Sequence, residues 1–203
     1  MNIPIVRAVI MDFGGVLLRL GDPQPHETLA AELGIPVATL RQEVFDGPLS
    51  IAAQRGEISA EDLWVQLAQQ WGLDAARAEW LAARFWEGVQ IDTDLVDWLR
   101  HLRPRYRVGL LSNAWDDLRS LLTRVGVADA FDAMVISAEE RLMKPEPAIY
   151  HLMLERLEVS PGEAIFVDDR EENTRAAHAL GIRTVHFRHK PQALAELRNL
   201  GVA

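Results

Sequence analysis

The sequence predicts a three-layer α/β fold, a parallel sheet between two layers of helices, interrupted early by an inserted helical segment. Three observations predict it. From Asp94 onward, short apolar runs alternate with helical stretches, the order that builds a parallel sheet with right-handed crossovers. Residues 6–11 form a largely apolar run, as a strand buried on both faces does. Between residues 22 and 90 the periodicity is helical, with no convincing strand.

Each element follows from local chemistry. The first strand, 6–11, ends at Asp12-Phe13-Gly14-Gly15. Paired glycines there mark a tight turn where backbone can approach a ligand. In the helical segment, Ser59 and Asp62 make a capping box that starts a helix. Leu63, Leu67 and Gln70 share one side of it, Trp64, Ala68 and Trp71 widen the apolar stripe, and Gly72 stops it. A second helix is expected over 74–89, with Leu81, Phe85 and Val89 spaced by four. Trp64, Trp71, Trp80 and Trp86 fall in this stretch. They are expected to fill its core, the alternative being that one lines a cavity. Beyond it come a helix at 95–102, a strand at 108–112, a helix at 116–125 and a short strand at 134–136. A helix at 147–157 and a strand at 164–167 follow, the strand ending at Asp168-Asp169. The last elements are a helix at 172–180 stopped by Gly181, a strand at 183–187 and a helix at 191–200.

Composition excludes several functions. A chain of 203 residues suits one domain carrying an insertion, large enough to bury roughly 70% of its unfolded surface. With 21 basic against 30 acidic side chains, the net charge is −9. That balance argues against a non-specific nucleic-acid binder or an anionic-membrane binder, both of which need excess cations. No apolar run approaches the roughly 20 residues that span a bilayer. Residues 3–11 read as a strand and not as a signal peptide. The chain has no cysteine, so disulfides, zinc–thiolate sites and thiol nucleophiles are absent, which fits a cytoplasmic location. No Walker or dinucleotide glycine motif is present. Among the six histidines, His186 and His189 are three apart, but a strand exit explains them better than a zinc site does.

Four pieces carry chemistry, and all lie at or just past the carboxyl ends of expected strands or in a stiffened loop. Ligands of parallel α/β sheets sit at those strand ends. Asp12 is held rigidly by its strand and exposed by the glycine turn, as suits a nucleophile or a metal ligand; a turn cap is the other reading. Asp168 and Asp169 repel one another, and a divalent cation such as Mg²⁺ would remove that penalty; capping the next helix is the alternative. Ser112 and Asn113, followed by a helix N-terminus, suit either a phosphate cradle or an ordinary cap. Lys144, between Met143 and two prolines, would hold a phosphate as a point charge or simply be solvated.

Together these pieces resemble the haloacid dehalogenase-like hydrolase superfamily over nearly the whole chain. Its first motif matches Val9-Ile10-Met11-Asp12-Phe13-Gly14-Gly15-Val16, and its second matches Leu110-Leu111-Ser112-Asn113. Its third matches Lys144-Pro145-Glu146-Pro147-Ala148-Ile149-Tyr150, and its fourth Val167-Asp168-Asp169-Arg170-Glu171-Glu172-Asn173. The helical insertion is similar to the small helical cap of a subgroup rich in sugar-phosphate phosphatases. Within it, Gln54-Arg55-Gly56-Glu57-Ile58-Ser59 resembles a cap segment of bacterial glucose-1-phosphate phosphatases and of the N-terminal phosphatase domain of soluble epoxide hydrolases.

The resemblance implies a Rossmann-like core at 1–20 and 92–203 with a helical cap at 21–91. It implies a phosphatase of small, sugar-phosphate-like phosphomonoesters, with no nucleic-acid or membrane partner; monomer and homodimer are both open. Asp12 would attack phosphorus and form an aspartyl-phosphate. Mg²⁺ would be held by Asp12, the Gly14 carbonyl and the acids Asp168 and Asp169, with Asp169 the direct ligand. Ser112, Asn113 and Lys144 would hold the transferring phosphoryl group.

One position departs from the family pattern. Two residues after the nucleophile, most phosphatases of the superfamily carry a second Asp that protonates the leaving group, and this chain has Gly14. Losing such a group typically costs about 100- to 10,000-fold. A substrate with a good leaving group would tolerate the loss, or a cap carboxylate such as Glu57 or Asp46 would replace it. A non-catalytic or weakly active binding protein is the alternative that Gly14 supports. Dehalogenases of the superfamily usually carry Tyr at this position and Ser-Asn in the fourth motif, so Asp168-Asp169 favours the phosphatase. Phosphonatases use a cap lysine, and none lies between Arg19 and Gln90.

Overall fold

The computed structural model describes residues 5–202. Its centre is a five-stranded sheet built from β1 (Ala8–Met11), β4 (Arg107–Ser112), β5 (Ala133–Ile136), β6 (Ala164–Asp168) and β7 (Arg183–His186). The spatial order is β5-β4-β1-β6-β7 and every pairing is parallel. The first strand lies in the middle, so the chain fills one side of it and then the other. The order reverses at β1, and the crevice outside the carboxyl ends of the strands opens there.

Side-chain alternation assigns each face of the sheet. Val9 and Met11 face a cluster with Leu110, Val167, Leu99, Leu122 and Leu197. Those partners include residues of α6 (Thr93–Leu102), α7 (Leu118–Arg124) and α11 (Lys190–Asn199). Ala8 and Ile10 face the opposite cluster with Leu111, Phe166, Ile149, Met153 and Ala177, under α9 (Pro147–Leu157) and α10 (Glu171–Ala179). Both faces of β1 are dry, as expected of a central parallel strand. The short helix α8 (Ser137–Glu140) follows β5 directly.

The inserted segment contains α1 (Gln24–Leu33), α2 (Val37–Asp46), α3 (Pro48–Gln54), α4 (Ala60–Gln70) and α5 (Ala78–Trp86). They close over their own apolar cluster, with Leu29, Leu40, Leu63, Leu67, Leu81 and Phe85 inside. Ser59 caps α4 in a full capping box with Asp62, as expected. Trp64 is buried, while Trp71, Trp80 and Trp86 are partly buried against the cluster. Trp115 from the sheet side joins the same cluster, its ring centroid 5.7 Å from Trp64 and 5.9 Å from Trp86.

Two short strands correct the sequence reading. β2 (Leu18–Leu20) and β3 (Val89–Ile91) pair antiparallel where the chain leaves and re-enters the sheet domain. Val89, expected as the last turn of a helix, is therefore a strand residue. The helix stops at Trp86, and Gly88 turns the chain at φ +78°. His189 caps α11 by accepting from the Gln192 N–H at 3.2 Å, which accounts for one of the paired histidines. No helix among the described residues is long and apolar enough to cross a membrane.

Candidate active site

Parallel register brings the motif residues together. Met11 pairs with Leu110 on one side and Val167 on the other. Asp12, Ser112 and Asp168 therefore emerge at one edge of the sheet. Asp12 continues the ladder, its N–H donating to the Val167 carbonyl at 2.9 Å. It is 7% exposed.

Lys144 is the pivot of the site. It is only 2% exposed, so it is not a solvated surface lysine. Its ammonium lies 2.8 Å from Asp12 Oδ1 and 2.6 Å from Asp168 Oδ2. The backbone that carries it is held by Asn113, which donates Nδ2–H to the Lys144 carbonyl at 2.9 Å and accepts the Lys144 N–H on Oδ1 at 2.8 Å. Both ends of the Asn113 amide are thus engaged in placing Lys144.

The two neighbouring acids play different parts. Asp168 is fully buried and its oxygens are taken by Lys144, by the Asn173 amide at 3.0 and 3.1 Å and by the Arg170 N–H at 2.8 Å. Asn173 is itself fixed from behind, its carbonyl accepting from the Tyr150 hydroxyl at 3.0 Å. Asp169 turns the other way, toward the glycine turn. A Cβ on Gly15, whose φ is +76°, would lie 2.2 Å from Asp169 Oδ2. A Cβ on Gly14 would meet nothing within 4 Å. The His186 imidazole Nε2 is 2.9 Å from the Asp169 carbonyl oxygen.

Acids outnumber bases here, with Asp12 and Asp168 on Lys144 and Asp169 near Arg170. Burial pushes the Asp12 carboxyl up to about 7, with Lys144 opposing the shift and the neighbouring aspartates adding to it. Asp169 is also raised, by desolvation and then by Asp168. Burial alone would lower the Lys144 ammonium, but Asp12 and Asp168 outweigh it and hold it above its ordinary value. Carboxylate oxygens of Asp12, Asp168 and Asp169 all come within 4.8 Å of one another. Hard oxygen donors with excess negative charge fit a hard divalent cation. Asp168 is already saturated by protein donors, so Asp12 and Asp169 are the freer ligands.

A cavity of about 610 Å³ opens over this edge, between the strand ends and the inserted helices. Asp12, Gly14, Asn113, Lys144 and Asp169 line it; Ser112 and Asp168 lie behind its wall. Trp86 and Asp46 line it from the helical side, so one tryptophan of the insertion does face a cavity. Asp46 is bound by Arg170 at 2.5 Å, and Glu57 is exposed and away from the cavity. A separate recess of about 430 Å³ beside β2 and β3 is bordered by Arg19, Gln90 and Asp92 and holds none of the motif residues.

Sequence reasoning quoted Asn173 within its motif without giving it a part; its place one turn after the paired acids was the available signal. His26 and Arg41 also reach the cavity, and nothing in their spacing pointed to it.

Comparison with known proteins agrees with this geometry. A sesquiterpene phosphatase of Aspergillus oryzae is 30% identical over 199 residues, which is 96% of this chain and 96% of the relative. A HAD-like family hydrolase from Porphyromonas gingivalis superposes with a TM-score of 0.79 at 24% identity, over 98% of this chain and 99% of its own. A HAD family enzyme of Bacteroides thetaiotaomicron, crystallised with magnesium and inorganic phosphate, superposes with a TM-score of 0.73 at 25% identity, over 90% of this chain and 94% of its own. The model of the haloacid dehalogenase-like hydrolases matches residues 6–181, spanning every motif residue of the site, and the chain belongs to that family of hydrolases.

Proposed function

We propose that the chain is an Mg²⁺-dependent phosphatase that hydrolyses a small phosphomonoester through an aspartyl-phosphate on Asp12. The observation that carries this reading is the Lys144 ammonium, 2.8 Å from Asp12 and anchored by Asp168, at the floor of a cavity of substrate size. In the same reading residues 1–20 and 92–203 form the catalytic core and 21–91 the cap over it.

An Asp12 carboxylate oxygen attacks phosphorus and forms the O–P bond. The bond to the leaving oxygen breaks, and its electron pair departs with that oxygen. Water then attacks phosphorus and the Asp12–phosphorus bond breaks, returning its pair to the carboxylate. The proton released by water goes to phosphate or solvent. Lys144 offsets the charge that builds on the phosphoryl oxygens, and Ser112 and Asn113 shape the cradle, Asn113 by holding Lys144 in place. Asp12, the Gly14 carbonyl and Asp169 would hold Mg²⁺, with Asp168 behind them. Bound there, the ion would supply positive charge that offsets the repulsion between the carboxylate and the phosphoryl group.

Gly14 supplies no proton, so the leaving oxygen must depart as an anion. The reading therefore favours leaving groups of low pKa. Phosphate release from a panel of phosphomonoesters with Mg²⁺ tests it. Turnover lost on adding EDTA and in Asp12→Asn is expected; no release from any compound, by folded protein that binds Mg²⁺, would favour a binding role.

A further inference from the structure

The apolar part of the cavity lining has its own chemistry. Leu20, Phe45, Ile51, Trp86 and Val89 reach into it from β2, α2, α3, α5 and β3, and Met143 joins from the loop before Lys144. Phe45 is 39% exposed, one of three large apolar side chains so exposed among the described residues, with Ile5 and Val125. Of these, Phe45 alone lines the cavity. It stands edge-on to Trp86, ring centroids 6.2 Å apart, and to Phe85 at 5.4 Å.

Most polar groups of the same wall are already engaged, the terminal nitrogens of Arg41 and the Gln54 side-chain oxygen being the exceptions. His26 uses both ring nitrogens, one on the Phe85 carbonyl at 2.7 Å and one on Arg41 Nε at 3.1 Å. The Gln54 amide nitrogen donates to the Phe45 carbonyl at 2.8 Å and to Ser50 Oγ at 3.1 Å. Arg170 is held by Asp46. A hydroxyl-rich alcohol placed here would lose water and find few replacement partners. An apolar body has no hydrogen bonds of its own to give up and gains from the apolar side chains that dominate this wall.

We infer that the leaving group accepted by this site is an apolar body carried on an oxygen that departs unprotonated, as in an aryl or acyl phosphate, with Phe45, Ile51 and Trp86 forming its slot. The inference rests on the phosphatase reading above; among esters it narrows the substrate to aryl phosphates, and it adds acyl phosphates, which are mixed anhydrides cleaved at the same phosphorus. Two independent features converge on it: the apolar wall sets the body, and Gly14, which has no proton to give, sets the oxygen.

The test is a para-alkylphenyl phosphate series, from methyl to butyl, with Mg²⁺. Leaving-oxygen acidity is nearly constant along it while apolar size grows. Burial of one methylene is worth about 0.8 kcal/mol, so kcat/KM should rise about fourfold per methylene until the slot is full. Lengthening the acyl chain from acetyl to octanoyl phosphate should act in the same direction, and glucose-1-phosphate should fall below the whole aryl series. Phe45→Asn should lower the butyl-to-methyl ratio, a quantity that does not depend on how much of the variant folds. A flat series with clear phosphate release, or a preference for glucose-1-phosphate, overturns the inference and leaves the phosphatase standing. No release from any ester or acyl phosphate overturns both.

Discussion

Asp168 holds Lys144 at 2.6 Å, and that contact fixes where the ammonium meets Asp12. The lysine is the cation that the buried acids share, so its loss exposes their mutual repulsion. Lys144→Met is expected to cost about 3–5 kcal/mol of folding stability in metal-free protein, the usual penalty for stranding a buried charge. Asp12→Asn in the same background should recover part of it. Urea unfolding of both variants, with and without Mg²⁺, reads the effect, and Mg²⁺ should narrow the gap.

Adjacent glycines should respond unequally. Gly15 sits at φ +76° with Asp169 where a side chain would go. Gly15→Ala is expected to cost roughly 1–2 kcal/mol from backbone alone and to weaken Mg²⁺ binding by displacing Asp169. Gly14 has open space at its Cβ position, so Gly14→Ala should stay within about 0.5 kcal/mol. Thermal melts and Mg²⁺ titrations of the pair decide it.

Acid should loosen the inserted helices through His26. Burial lowers its pKa below 6.5, against the opposing pull of the Phe85 carbonyl, and Arg41 lowers it further. Arg41 donates to Nδ1, so Nε2 carries the proton toward Phe85. An added proton on Nδ1 would face the guanidinium. Between 6.5 and the lower folded value the unfolded chain binds more protons, so stability is full above 6.5 and declines as pH falls below it. His26→Gln should reduce that decline relative to the parent, as read from melting temperature against pH.

Trp115 joins the sheet domain to the insertion. It is 7% exposed, packs against Trp64 and Trp86, and donates Nε1–H to Ser50 Oγ at 3.3 Å. Trp115→Ala is expected to cost about 3–5 kcal/mol, and Trp115→Phe much less. Proteolysis should then cut first within 21–91 in the alanine variant.

The strands were legible because burial on both faces leaves an apolar run with little else in it, as in Val9-Ile10-Met11. Residues 18–20 and 89–91 were not, since three residues are too few to separate a strand period from a helix period. Asp12, Lys144 and the paired acids were legible as a constellation. Their division of labour was not, because it depends on which way each side chain leaves the strand. Asp168 shares the parity of Ala164 and Phe166 and points inward toward Asn173, while Asp169 points to the turn. Likewise Asn113 reads as a phosphate ligand in one dimension, and only the fold places its amide against the Lys144 backbone.

The central claim is that Asp12 works without a proton donor at position 14. Aryl phosphates of matched size and graded leaving-group acidity test it most directly, in the parent and in Gly14→Asp. Open space beside Gly14 lets the new side chain enter without displacing a neighbour. The account predicts a steep dependence of kcat/KM on leaving-group pKa in the parent. It predicts a shallower one in Gly14→Asp, with a gain of about 100-fold or more on the poorest leaving groups. A dependence already flat in the parent would contradict it, because a proton donor would then be present elsewhere in the site.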